Sequence, residues 1–209
     1  HTVYVYPDGS CKPYPMKSFT VLQGEEAFVQ SLTWKIHGIY LVRADIHYRF
    51  PYDESARAYS DDNTTHLHYL ASKEVRCCNG IYYYRQHTGS VSHQITSRRF
   101  DYLTAADAMK RKLIQLKASE EILDIYENHR WLIIVDVYQF WFNHHRDLSD
   151  KESDNGLMKI KEAWYSVETK RLSVRYRFKF GYMPLRPFWW LFRLEENLYF
   201  TLKKLGIRR

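Results

Sequence analysis

The residues whose type and spacing best suit chemistry are His66 and His68, in the triplet His66-Leu67-His68. Side chains two apart in a strand project from one face, so a strand here would bring both imidazoles to one divalent metal ion. His144-His145 followed by Asp147 is a second group of ligand types, read first as a polar acidic loop. The vicinal pair Cys77-Cys78 alternates faces in a strand and lacks Cys-x-x-Cys spacing, so one packed thiol beside one half-exposed thiol is expected rather than a zinc site. Glu162, on an otherwise apolar strand face, would need a hydrogen bond from Tyr176 or Arg175, with a catalytic acid as the alternative. The chain has no Gly-x-Gly-x-x-Gly, no phosphate-binding loop and no Gly-x-Ser-x-Gly elbow.

The His66-Leu67-His68 triplet resembles the His-hydrophobic-His signature of the HUH endonucleases, the replication initiators and relaxases that nick single-stranded DNA. The wider order is similar: Phe19-Thr20 on an early strand, a helix near Glu25, a strand around Ile39, the His pair, then Tyr102 near a helix start. This resemblance implies that His66 and His68 hold the metal while Tyr102 or Tyr126 attacks a phosphodiester. It is the enzymatic alternative to a binding role.

Aromatic residues interleave with cations in Tyr82-Tyr83-Tyr84-Arg85, from Tyr176 to Phe180 and from Arg186 to Arg193. Exposed, such runs stack bases and neutralise phosphates. Buried, they are cores edged by the long stems of Arg and Lys. Tyr82, Tyr83 and Tyr84, together with Trp189 and Trp190, are therefore candidates for stacking or partner contact. Peripheral membrane contact through residues 187–209 is a further alternative, because Phe188-Trp189-Trp190-Leu191-Phe192 is apolar almost all round.

The 209 residues carry 31 basic and 24 acidic side chains, a formal net charge of +7, and 17% of them are aromatic. A hydrophobic fraction of 45% excludes a disordered chain. Residues 1–156 hold 18 basic and 20 acidic side chains, while 157–209 hold 13 and 4, so all of the excess lies in the last quarter. A local excess of that size reads as a patch for an anionic partner. The longest apolar run, Trp131 to Phe142, is interrupted by Asp136 and Gln139. It is shorter than the roughly 20 residues of a spanning helix, so no transmembrane segment is expected. Three cysteines do not make a disulfide framework, which favours an intracellular reducing compartment, with mitochondrial or viral origin both open. The chain starts at His1 with no signal peptide, as a mature form or a trimmed one would.

The elements that must position these residues follow from periodicity. Thr2–Tyr6 reads as a strand closed by the turn Pro7-Asp8-Gly9, Cys11–Pro15 as an edge or loop, and Gly24–Leu32 as a short helix with Ala27, Phe28 and Leu32 on one side. Lys35–Phe50 is rich in β-branched and aromatic residues, and Pro51–Asn63 reads as a loop. Thr64–Cys77, Ile81–His87 and Val91–Phe100 read as strands, joined by turns at Asn79-Gly80 and Thr88-Gly89-Ser90. Thr104 and Asp107 suggest a capping box for a helix from Ala105 to Asn128, and Trp131–Phe142 leans to helix at its start. Asn143–Gly156 reads as a loop. Strict alternation from Arg171 to Phe180 predicts a hairpin turning at Glu168-Thr169-Lys170, with Lys159, Lys161, Arg171, Arg175, Arg177 and Lys179 on its polar face. A helix from Pro187 to Leu205, stopped by Gly206, closes the chain.

The resulting expectation is an α+β fold, with antiparallel β hairpins flanking a central helical segment and a C-terminal amphipathic helix. Its body spans 1–156, with the basic hairpin and last helix in 157–209 packed into the same domain. The expected role is a non-catalytic subunit of a larger assembly, ribonucleoprotein, organellar or coat/matrix in type. It would contact other protein subunits, and RNA or DNA or another anionic partner through the basic hairpin, without a cofactor.

Overall fold

The computed structural model describes residues 1–16, 18–36, 39–87, 94–177 and 188–207. The fold is α+β and dominated by helices. It forms two compact units, one of His1–Glu54 with Asp61–Gln94, the other of Ser55–Ser60 with Ile95–Arg209.

In the first unit, β1 (Thr2–Val5) pairs antiparallel with β2 (Cys11–Pro13). The expected Pro7-Asp8-Gly9 turn joins them, with Gly9 at φ +81 and the Asp8 carboxylate accepting from the Ser10 N–H at 2.9 Å. β5 (Tyr82–Arg85) adds to the other side of β1 in parallel, setting Thr2 opposite Tyr82 and Tyr4 opposite Tyr84. A second sheet has two strands, β3 (Val21–Gln23) and β4 (Glu74–Arg76), antiparallel with Leu22 opposite Val75. The helix α1 (Gly24–Leu32) buries Ala27, Phe28 and Leu32 as its spacing predicts, and Glu25 and Glu26 complement its N-terminal dipole.

One expected strand of this unit is largely helical, as is part of the β-branched and aromatic Lys35–Phe50 stretch. Within Lys35–Phe50, Ala44–Arg49 forms α2, and residues 39–43 have no regular structure. Ser60–Ala71 forms α3, so Thr64–Cys77 is not one strand; only β4 at its end is extended. The signal is Ser60-Asp61-Asp62-Asn63, two carboxylates in a first helical turn. Burial of Thr64, His66, Leu67, His68 and Tyr69 then overrides the β preference of Thr and Tyr. The turn at Thr88-Gly89-Ser90 lies outside the described residues, and Val91–Phe100 ends in a 3-10 turn at Ser97–Phe100.

The second unit is built on α5 (Glu120–His144). The Trp131–Phe142 run lies inside this helix and is apolar almost all round because α4 (Asp101–Gln115), α6 (Asp150–Tyr165) and α8 (Trp189–Lys204) pack against it. Trp131, Tyr138, Trp164 and Phe192 are fully buried at its centre. The single helix expected over Ala105–Asn128 is two: α4 begins at Asp101 without a Thr104 cap, and Lys117 at φ 53 turns the chain into α5. Ser119 caps α5 by accepting from the Ile122 N–H at 3.3 Å.

The expected hairpin over 158–180 is absent among the described residues. Its first arm is α6, which also takes up half of the expected Asn143–Gly156 loop and starts with a capping box between Ser149 and Glu152. Gly156, Ile160 and Trp164 recur every four residues and are buried, a helical stripe that outweighs the two-residue alternation downstream. Thr169–Arg171 is a 3-10 turn and Val174–Arg177 the short helix α7; Phe178, Lys179 and Phe180 lie outside the described residues. Glu162, expected on an apolar face, is exposed on α6. The expected C-terminal helix is α8, followed by Gly206 at φ +71, while Arg186 and Pro187 lie outside the described residues.

Two buried charge features stand out in this unit. Glu127 and Arg130, 1% and 2% exposed, pair at 3.0 Å, and Lys110 bridges Glu127 (3.0 Å) and Glu168 (2.6 Å). Glu196 on α8 is fully buried, and neither carboxyl oxygen has a hydrogen-bond partner among the described residues. Burial, then the neighbouring Glu195 charge, pushes the Glu196 carboxyl from 4.5 up to about 9. The native state then holds a proton that the unfolded chain has released. Stability contributed here is complete below pH 4.5 and falls as pH rises to about 9. Thermal melts across that range should show stability falling by up to about 1.4 kcal/mol per pH unit, a slope that Glu196→Gln removes. An unchanged slope in that variant would place the ionisation elsewhere.

Candidate binding surface

A helix turns about 100° per residue, so His66 and His68 on α3 project in divergent directions rather than to one metal ion. The His66 Nδ1 is 2.7 Å from the Ser31 hydroxyl, which donates to the Phe28 carbonyl, so the imidazole donates to Ser31. His68 places Nε2 2.8 Å from the Phe50 carbonyl and Nδ1 2.7 Å from the Tyr40 hydroxyl. Only a donor satisfies a carbonyl, which assigns the proton to Nε2 and makes Nδ1 the acceptor from Tyr40. Burial holds His68 below the usual imidazole range, consistent with that neutral form. Both imidazoles are structural, and the metal pair expected from a strand is not assembled. Among the described residues, no three His, Cys, Asp or Glu side chains are grouped to hold a metal ion.

The two candidate nucleophiles belong to the second unit. Tyr102 lies on α4, stacked on Tyr59 with centroids 4.8 Å apart and covered by the Arg99 guanidinium. Tyr126 is buried and donates to the Ala106 carbonyl at 3.0 Å; burial raises its phenol well above the ordinary value. In the first unit, burial and then Asp61 push Asp62 up to about 6, a range in which a carboxyl can take up a proton near neutrality. Asp62 does not line the cleft described below.

Part of the basic group is already neutralised. Arg171 is held by Glu120 (2.8 Å), Asp124 (2.7 Å) and Glu168 (2.9 Å), and Lys159 pairs with Asp101 at 3.3 Å. Arg177 donates to the Lys170 carbonyl. Lys161, Arg175, Lys203 and Lys204 are exposed and make no ion pair among the described residues. Trp189 is half-buried and packs against the core, stacked on Phe192 at 5.3 Å and edge-on to Trp164 at 5.5 Å, whereas Trp190 is exposed.

The tyrosine run makes a surface of another kind. Tyr82 and Tyr84 share the face of their sheet with Tyr4, and Tyr14 lies just beyond β2, while Tyr83 points to the opposite face. Tyr4 sits edge-on to both Tyr14 and Tyr84 at 5.9 Å, and Tyr82 is 6.2 Å from Tyr84. Lys12, opposite Tyr4, adds one cation to this face. Tyr82 and Tyr84 remain 37% and 39% exposed.

A cleft of about 650 Å³ also lies in the first unit, lined by apolar residues of 36–46, the segment Ser72–Cys78 and the Tyr40–His68 pair. Burial and then Tyr40 push the Tyr69 phenol there up to about 12. Cys77 and Cys78 are free, half-buried and exposed respectively, so neither is the packed thiol expected. This cleft is not apparent from periodicity, since its apolar residues sit on irregular backbone; exposed Ile39 and Leu41, two apart, are the nearest thing to a signal. No helix among the described residues is long and apolar enough to cross a membrane. No protein-family model, no curated protein and no solved structure matches the chain.

Proposed function

We propose that the chain is a non-catalytic subunit of a larger assembly in a reducing compartment, docking a neighbouring protein through the first unit and an anionic partner through the second. The observation that carries this reading is the tyrosine face of Tyr4, Tyr14, Tyr82 and Tyr84. Tyrosines present large, rigid area at low entropic cost and are enriched at protein interfaces. The first unit is close to neutral, with 8 basic and 9 acidic side chains over residues 1–54 and 61–94, which suits a protein neighbour better than a polyanion there. The unpaired cations of the second unit support the anionic partner, and the three free thiols support the compartment.

Affinity capture of the full chain from its native source is the test. Tyr84→Ala should lose the stoichiometric protein partner while circular dichroism stays unchanged. Retention of the same partner would defeat the docking role. For the second unit, anisotropy with an oligo-dT probe should give a logarithmic salt slope about 2 shallower when Lys161, Arg175 and Arg177 become Ala, about 0.7 for each cation lost. An unchanged slope would take the anion away from these residues.

A further inference from the structure

We propose that the cleft of the first unit takes an extended, carboxylate-bearing polypeptide strand of a partner protein, added alongside β4 as the third strand of its sheet. The inference rests on the reading of this chain as a binding subunit and specifies how one partner is held. β4 is hydrogen-bonded to β3 alone, and among the described residues no backbone group from Lys73 to Cys78 makes any other backbone bond. All seven residues from Ser72 to Cys78 line the cleft, so β4 and its flanks border it. The extended stretch, Glu74–Arg76, runs about 10 Å and offers alternating donors and acceptors that another extended backbone can match.

The side chains across the cleft suit such a strand. Ile39, Leu41 and Ile81 line it with 69%, 102% and 58% of their surface exposed. Ile39 and Leu41 are two apart on non-helical chain, the spacing at which alternate side chains of an added strand repeat. Charge selects the partner's other residues. Arg43, Lys73 and Arg76 line the cleft against a single carboxylate, Glu74, which pairs with Arg76 at 2.8 Å. Arg43 pairs with Asp45 at 3.0 Å, and Lys73 makes no ion pair among the described residues. A strand alternating apolar with acidic side chains answers both features.

The probe is a fluorescein-labelled hexapeptide of alternating Glu and Val, titrated into the full chain. Saturable binding is expected, weakened about tenfold or more when Lys replaces every Glu. N-methylation of alternate backbone amides should abolish binding for one parity and spare it for the other, because one edge of an added strand faces β4. Ile39→Asp with Leu41→Asp, both on exposed positions, and separately Lys73→Glu, should each weaken binding about tenfold with unchanged circular dichroism. The proposal is overturned by no saturable binding up to about 1 mM, by equal effects of the two N-methyl parities, or by undiminished binding in the variants. Self-association at the cleft, blocked by Ile39→Asp with Leu41→Asp and unaffected by the peptide, would also overturn it, in favour of a second copy. Loss of peptide binding alone, with Tyr84-dependent capture intact, rejects the strand and leaves the subunit reading standing, since Tyr84 does not line the cleft.

Discussion

Glu127→Ala is expected to destabilise the second unit by about 3–5 kcal/mol, read as the shift of a urea unfolding curve followed by tryptophan fluorescence. Both Glu127 and Arg130 are withdrawn from water, at 1% and 2% exposure, and the carboxylate answers three groups at once. It accepts from Arg130 Nη1 at 3.0 Å, pairs with Lys110 at 3.0 Å and accepts the Glu168 N–H at 2.7 Å. Removing it leaves the buried Arg130 guanidinium with only Asp107, 3.8 Å away, as an anion beside its bonds to Ser166, leaves Lys110 with Glu168 alone, and strands the Glu168 backbone donor. That uncompensated charge, rather than the loss of an attractive pair, supplies the magnitude. The triple substitution Glu127→Leu, Arg130→Met and Lys110→Met should therefore recover most of the loss, because no buried charge is then stranded. A cost below about 1 kcal/mol for Glu127→Ala would mean that water reaches the network.

How far the chain could be read beforehand depended on whether local signals agreed. At Thr2–Val5, the Gly9 turn, Gly24–Leu32 and the C-terminal helix, turn chemistry, capping and periodicity point the same way, and the elements stand where they were expected. At His66-Leu67-His68 a two-residue alternation of three residues competes with two carboxylates in a first helical turn, and the longer-range burial of α3 decides for helix. The basic hairpin fails likewise: alternation from Arg171 is a local coincidence, while Ser149 and Glu152 cap a helix whose buried stripe begins at Ser153. The tyrosine run could be singled out from sequence, and its exposure is retained, though only alternate members share a face. The cleft could not, because strand pairing and irregular backbone assemble it from segments about thirty residues apart, Ile39–Arg43 and Ser72–Cys78. Nor could the neutralisation of Arg171, whose three carboxylates come partly from a helix about fifty residues earlier.

Gly24→Ala tests the frame beneath that cleft, and it is expected to destabilise the first unit by about 3 kcal/mol. Gly24 is the first residue of α1, and a Cβ there would lie 2.7 Å from the Tyr69 carbonyl and 3.1 Å from that of Leu70, with the Ser72 carbonyl closer still. All three are backbone atoms at the end of α3 or just beyond it, so no flexible side chain can move aside. The close approach also sets the electropositive start of α1 against carbonyls at the electronegative end of α3, an arrangement that favours the seat glycine permits. Helix propensity alone predicts the opposite sign, since Ala is favoured over Gly by about 1 kcal/mol inside a helix. Because Ser72 leads directly into β4, displacement here should also reach the cleft, weakening the alternating Glu and Val peptide together with the unfolding midpoint. Gly80→Ala is the matched control, its Cβ meeting only the Cys78 sulfur at 3.4 Å, an ordinary contact. Chemical denaturation of both variants separates the two accounts: a loss confined to Gly24→Ala requires the helix-end contact, whereas a neutral or stabilising Gly24→Ala would rule it out.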